Sequence, residues 1–335
     1  MKLRNKFVIK HRIGIRIVLP AVLILLSLPL AAEQDTSEQA RQLINEMSRA
    51  SRELNYDGIF VYRRDRRMDT MRIIHKADKN GEQERMVALT GYAREVIRNN
   101  KSVTCIFPDN QAVMVEKSRP RKFLAAQLPE PIEKIADFYS FSIGGKDRVA
   151  GRSTWIVNIV PKDDFRYGYQ LWIDDKSRLM LKSELKDNTG SPVEQILFTQ
   201  LNIVDEIPQQ LLKPAISGKG YTWYSGSSEE MPVTSDSHLW TVMDMPDGFI
   251  LSDFEKQAVD KNTMPVEHMI YTDGLAMVSV FIEKIMNEPD SMRGASVMGG
   301  VNAYATYSNG YQITAVGEVP QKTVQLMANS VIRNK

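Results

Sequence analysis

Residues 154–204 read TWIVNIVPKDDFRYGYQLWIDDKSRLMLKSELKDNTGSPVEQILFTQLNIV and constrain the fold more than any other stretch of the chain. Four short apolar runs are separated by three turn signals, Pro161–Asp164, Asp174–Ser177 and Asp187–Gly190. The runs are rich in β-branched and aromatic residues and alternate in polarity, a strand pattern rather than a helical one. At period two, Tyr167, Tyr169, Leu171 and Ile173 fall on one face, and Gly168, Gln170, Trp172 and Asp174 on the other. The spacing predicts an antiparallel meander with one strongly apolar face. That face has to be covered, and what covers it is the functional question.

The N-terminus predicts export. Six basic residues and no acid occupy residues 1–32, with an apolar run from Ile17 to Leu30 and then Ala31-Ala32. This is the order of a secretory signal cleaved near Ala32. The apolar run is short for a membrane span and carries Pro20 and Pro29. The whole chain has a formal charge of +2, but without those six bases 37 remain against 41 acids. A net charge of −4 is no footprint for nucleic acid. Cys105 is the one cysteine, so no intrachain disulfide forms; in the run Val103–Phe107 it reads as a covered thiol.

Around the meander the chain divides into parts. Ala40, Leu43, Ile44, Met47 and Leu54 recur at helical spacing, predicting a helix over Asp35–Leu54 capped by Thr36 or Ser37. Six strand-like runs follow between Ile59 and Val115, close enough together to pair antiparallel, with Asn80-Gly81 as a hairpin signal. Residues 120–142 read as a loop with a short helix or two. The segment 218–231, rich in Gly, Ser and Glu, reads as a linker. Beyond it come further strand patterns, turn signals at Asp273-Gly274 and Asn309-Gly310, and a closing helix from Pro320 to Val331. The expected division is a signal peptide (1–32), a first domain (33–217), a linker (218–231) and a small α+β domain (232–335). The fold class is mostly β, with a curved antiparallel sheet and helices against its concave face.

Sequence patterns of catalysis are missing. There is no G-x-S-x-G, H-E-x-x-H, P-loop or G-x-G-x-x-G, and His75, His238 and His268 have no ligand-like spacing. No metal or cofactor is expected, and the chain does not read as an enzyme. Two basic clusters stand out: Arg63, Arg64, Arg66 and Arg67 after the first strand, and Lys117–Lys122. Such clusters are commonly solvated loop charge; the functional alternative is an anion site for lipid phosphate or an acidic partner segment.

Seven stretches together resemble one family, the sigma-E factor regulatory proteins RseB and MucB. They are Asn55–Tyr62 (NYDGIFVY), Gly91–Arg98, Val149–Arg152, Arg166–Asp174 (RYGYQLWID), Pro246–Phe249 (PDGF), Asp273–Glu283 (DGLAMVSVFIE) and Val316–Pro320. They span nearly all of the chain after the signal. The resemblance implies a first domain similar to the LolA and LolB lipoprotein carriers, a half-open β-barrel with helices in its concavity. It implies a periplasmic regulator that binds the periplasmic region of an anti-sigma factor of the RseA/MucA type and protects it from site-1 proteolysis. Lipid, lipopolysaccharide or a mislocalised lipoprotein would release it. A periplasmic lipid or lipoprotein carrier is the alternative, and self-association stays open. On this reading Tyr62, Tyr169, Leu171 and Ile173 line a lipid crevice, although a closed core would use the same residues equally well. Arg63, Arg64, Arg66 and Arg67 form the anion or partner loop, and the anti-sigma factor meets the second domain and the surface between the domains.

Overall fold

In the computed structural model the described residues are 28–117, 128, 131–225, 239–257, 266–285 and 293–334. Most of the expected signal segment, most of the second basic cluster, His238 and part of the expected linker lie outside them.

The first helix, α1, runs Leu28–Glu53. It starts before the expected Asp35, so Thr36 and Ser37 are interior residues rather than caps. Eleven strands follow: β1 (Asn55–Arg64), β2 (Arg67–Asp78), β3 (Gly81–Ala88), β4 (Glu95–Arg98), β5 (Ser102–Phe107), β6 (Ala112–Lys117), β7 (Tyr139–Val149), β8 (Arg152–Pro161), β9 (Gly168–Asp174), β10 (Met180–Lys186) and β11 (Pro192–Val204). With β12 (Thr222–Ser225) they form one twelve-stranded sheet in the order β12-β6-β5-β4-β3-β2-β1-β11-β10-β9-β8-β7. All pairings are antiparallel except that of β12 with β6. Thus Trp223 and Tyr224, in the expected linker, extend the sheet edge and remain largely exposed.

The sheet is strongly curled. Helix α1 packs against both β2 and β7, which stand six places apart in the order. A flat sheet would separate them by about 29 Å at about 4.8 Å per strand, far more than a helix about 10–12 Å across can bridge. The concavity therefore closes around the helix, as a half-open barrel does. Residue Gly144 supplies part of the bend: the β7–β8 register slips between Ile143 and Gly145, leaving Gly144 as a bulge. The chain is already a strand from Tyr139, where the sequence suggested a loop or helix through Ser142. Among the described residues of that segment, Ile132–Ile135 forms a short 3₁₀ turn.

Ala40, Leu43, Ile44 and Met47 of α1 are buried against Val157, Ile159, Leu171 and Ile173. Each large aliphatic side chain removed from water here contributes about 1.5–3 kcal/mol. Within the meander, strand β9 is buried on both faces, unlike the one-sided expectation. Trp172 lies beneath the Lys182 ammonium at 3.7 Å and donates to Asp147, and Asp174 accepts from Arg152 and Ser177.

Further along the chain, β13 (Trp240–Val242), β14 (Ile250–Gln257), β15 (Val266–Thr272), β16 (Met277–Lys284), β17 (Gly294–Met298), β18 (Val301–Ser308) and β19 (Tyr311–Gly317) lead into helix α2 (Gln321–Asn329) and β20 (Val331–Arg333). Six of these strands make a second sheet, β14-β15-β16-β19-β18-β17. Helix α2 buries Val324, Met327 and Ala328 on that sheet, and the β13–β20 ribbon adds Trp240 and Val331.

Candidate functional site

Strand register places the expected crevice residues together. Leu171 pairs with Ser183, Ser183 with Ile196, and Ile196 with Tyr62, so these four form one row across β9, β10, β11 and β1. The adjacent row is Tyr169, Leu185, Glu194 and Arg64. Tyr62, Tyr169, Leu171 and Ile173 thus share one face. Leu171 and Ile173 have no exposed surface, being covered by α1 and the 3₁₀ turn. Tyr169 belongs to the same buried core, and its hydroxyl, like that of the half-buried Tyr62, ends on an acid at the domain interface.

The four arginines have different surroundings. Arg63 donates to the Pro192 carbonyl at 3.4 Å. Arg64 lies over the Tyr62 ring, 6.0 Å from its centroid, and its side chain crowds Gly299 of the second domain. Arg66 and Arg67 are exposed at the hairpin tip, whose Asp65 accepts the Gly299 N–H at 2.9 Å.

The two domains meet through chemistry that sequence reasoning missed. Arg166 and Asp273 form an ion pair at 2.7 Å with neither side chain exposed. An unpaired charge there would be very costly, and every oxygen and nitrogen is used. Asp273 also accepts from the Tyr139 hydroxyl at 2.9 Å and from the N–H groups of Leu275 and Ala276 at 2.8 and 2.7 Å. Arg166 also pairs with Asp163 and donates to the Asp247 carbonyl at 2.6 Å. Its guanidinium lies among Phe138, Tyr139 and Phe249, 5.0–5.6 Å from their centroids. Burial, then the Asp273 charge, pushes the Tyr139 phenol well above its ordinary value. Beside this pair Leu275 of the second domain inserts into the core under α1, so the turn 273–276 plugs the first domain.

Further along the interface Thr323 donates to the Phe165 carbonyl at 2.6 Å, and Asn302 donates to the Tyr167 hydroxyl at 2.9 Å. At the far end lie two acids. Glu194 accepts from Tyr62 and from the Gly300 N–H, and Glu318 accepts from Tyr169 at 3.0 Å. Burial, then the charge of Glu194, pushes the Glu318 carboxyl up to about 7, against the opposing pull of the Tyr169 hydrogen bond. Tyr169 and Tyr62 are both raised, chiefly by burial. Among the described residues no group of His, Cys, Asp and Glu is arranged to hold a metal ion, and no helix is long and apolar enough to cross a membrane. Cys105 is half-buried, its thiol pushed up by burial.

Four of the seven stretches that carry the resemblance converge on this interface, through Arg166, Asp247, Asp273 and Glu318. The profile of the MucB/RseB N-terminal domain matches residues 39–216, and that of the MucB/RseB C-terminal domain residues 234–332. The chain belongs to the MucB/RseB family. Among curated MucB/RseB relatives, the sigma-E factor regulatory protein RseB of Haemophilus influenzae is 27% identical over 314 residues, covering 91% of this chain and 95% of its own. The sigma factor AlgU regulatory protein MucB of Pseudomonas aeruginosa is 29% identical over 323 residues, 93% of this chain and 96% of its own. These relatives are named as regulators. The fold superposes on the P. aeruginosa MucA/MucB complex with a TM-score of 0.70 at 28% identity, covering 89% of this chain and 99% of that one. A structure of MucB in complex with MucA(peri) gives 0.68, covering 88% and 99%.

Proposed function

We propose that this chain is a periplasmic negative regulator of an envelope-stress sigma factor. It binds the periplasmic region of an anti-sigma factor of the MucA/RseA type and shields it from the first proteolytic cut. The observation that carries the reading is the likeness, over both domains and at 28% identity, to MucB structures that include MucA. The basic, apolar N-terminus supports export, with the signal removed near Ala32. The buried Arg166–Asp273 pair supports a guard whose two domains present one continuous surface.

Lipid, lipopolysaccharide or a mislocalised lipoprotein releases the client. Linkage requires that the lipid bind the client-free form more tightly. A tenfold effect takes about 1.4 kcal/mol, and an acyl chain supplies about 0.8 kcal/mol per buried methylene. Leu171 and Ile173 lie beneath α1, so a chain that reaches them displaces the apolar stripe of that helix; Tyr62 and Tyr169 stand at the rim of the same face. Arg66 and Arg67, exposed at the hairpin tip, are placed for an anionic group.

The test is titration calorimetry with the purified periplasmic segment of the anti-sigma factor, with and without lipopolysaccharide. Saturable binding, weakened at least tenfold by the lipid, is expected. No binding to the segment would overturn the guard reading. A photoreactive acyl lipid that crosslinked to neither rim nor core of this face would remove the crevice while leaving the guard intact.

A further inference from the structure

Glu194 and Glu318 come from different domains and are held in the same small volume. A carbon added at Gly300 would sit 3.3 Å from Glu318 Cγ, 3.4 Å from Glu194 Oε1 and 2.5 Å from Leu185 Cδ2. Among the described residues, the groups that donate to them are two phenols and a backbone amide. Strand β9 contributes Tyr169, and the loop before it Tyr167, which donates nothing to Glu318 but senses its charge. Strand β1 contributes Tyr62 and, over its ring, Arg64; the β17–β18 turn contributes Gly299 and Gly300. On α2, Lys322 is turned away to Asp164 at 3.2 Å, and Asp187 of the β10–β11 turn faces Tyr167.

We propose that the Glu194–Glu318 site is a proton-controlled clasp between the two domains. One proton from solvent adds to a Glu318 carboxylate oxygen, forming an O–H bond and leaving a single negative charge in the site. In that state the interface is closed with little repulsion. Loss of the proton puts two carboxylates together against neutral phenols, and the interface loosens at this end while Arg166–Asp273 holds the other.

The sign follows from linkage. Separation of the domains returns Glu318 to water and its ordinary value of 4.5, whereas the closed site holds it at about 7. The closed form is therefore favoured most below about 4.5 and loses that advantage as pH rises through 7. For full exposure on opening, the closed-to-open ratio falls on the order of 50-fold between about pH 5 and pH 8.

Hydrogen exchange of the Gly299–Gly300 peptide, corrected for intrinsic rates, reads this directly on the full chain without any client, so its outcome is separate from that of anti-sigma binding. The wild-type protein is expected to open tens of times more readily at about pH 8 than at about pH 5. Glu318→Gln keeps an acceptor for Tyr169 and cannot ionise, so its opening should not vary with pH. Glu38→Gln on the exposed side of α1 should follow wild type. Glu194→Gln removes the neighbouring charge and should move the wild-type midpoint to lower pH; it decides the matter if Glu318→Gln fails to fold by circular dichroism. A flat wild-type profile, an unaltered slope in Glu318→Gln, or an unmoved midpoint in Glu194→Gln would overturn the clasp.

Discussion

Two ends of one interface handle buried charge in opposite ways. Arg166 and Asp273 are of opposite sign, their side chains are fully covered, and each of their side-chain nitrogens and oxygens has a partner. Glu194 and Glu318 are of like sign, and phenols and a glycine amide donate to them. The first arrangement works as a fixed anchor, because breaking it would strand a charge in an aromatic cage. The second can be adjusted by one proton. A protein that must hold two domains together and still respond to its surroundings gains from having both: rigidity at the turn that plugs the barrel, and adjustability at the rim where Tyr62 and Tyr169 border the covered apolar face.

Substitutions should separate the two ends, and the largest effect belongs to the anchor. Asp273→Ala leaves Arg166 buried without its partner, so urea unfolding should register a loss of about 3–5 kcal/mol. A loss under about 1 kcal/mol, the range of an exposed pair, would erase the distinction between the ends. Next come the glycines. Gly248, at φ +85°, faces the Phe138 ring so closely that Gly248→Ala must move the aromatic cage. The expected cost is about 1–3 kcal/mol in thermal or urea unfolding. At the adjustable end, the closest atom to a carbon added by Gly300→Ala is a Leu185 methyl at 2.5 Å on a flexible side chain, with Glu318 Cγ and Glu194 Oε1 at 3.3 and 3.4 Å, and about 1 kcal/mol is expected. Equal losses for the two glycines would mean that the acid end is as stiff as the anchor. Smallest for stability is Arg66→Glu with Arg67→Glu, within about 0.5 kcal/mol because both are exposed. Its informative readout is affinity: weaker binding of anionic lipid or of the client would give the hairpin tip a role, and unchanged affinity for both would retire it.

Much of the architecture was legible because strands and turns leave local marks. The alternation in residues 154–204, the stripe of α1 and the Asn80-Gly81 turn each act over a few residues. The pattern faded where the structure depends on distant partners. Strands β14 and β17 went unread: ILSDFEKQ has a polar half, and all of Gly294–Met298 is exposed at a sheet edge, where burial does not enforce alternation. The start of α1 was misplaced because Thr36 and Ser37 look like caps whether or not a helix precedes them. At the site, period two placed Tyr169, Leu171 and Ile173 on one face, and register then joined Tyr62 to it. Whether α1 closes over them or leaves a crevice could not be read, since a crevice and a core want the same side chains. Arg166 and Asp273 are 107 residues apart. One signal was available: a lone arginine between Phe165 and Tyr167, and an aspartate opening a run as apolar as GLAMVSVFI, are charges set in apolar surroundings and so imply partners.

The guard reading is tested most directly by following site-1 cleavage of a membrane-reconstituted anti-sigma factor in the presence of this protein. Cleavage should slow as the protein is added and resume when lipopolysaccharide is supplied. Cleavage at an unchanged rate with saturating protein would contradict it.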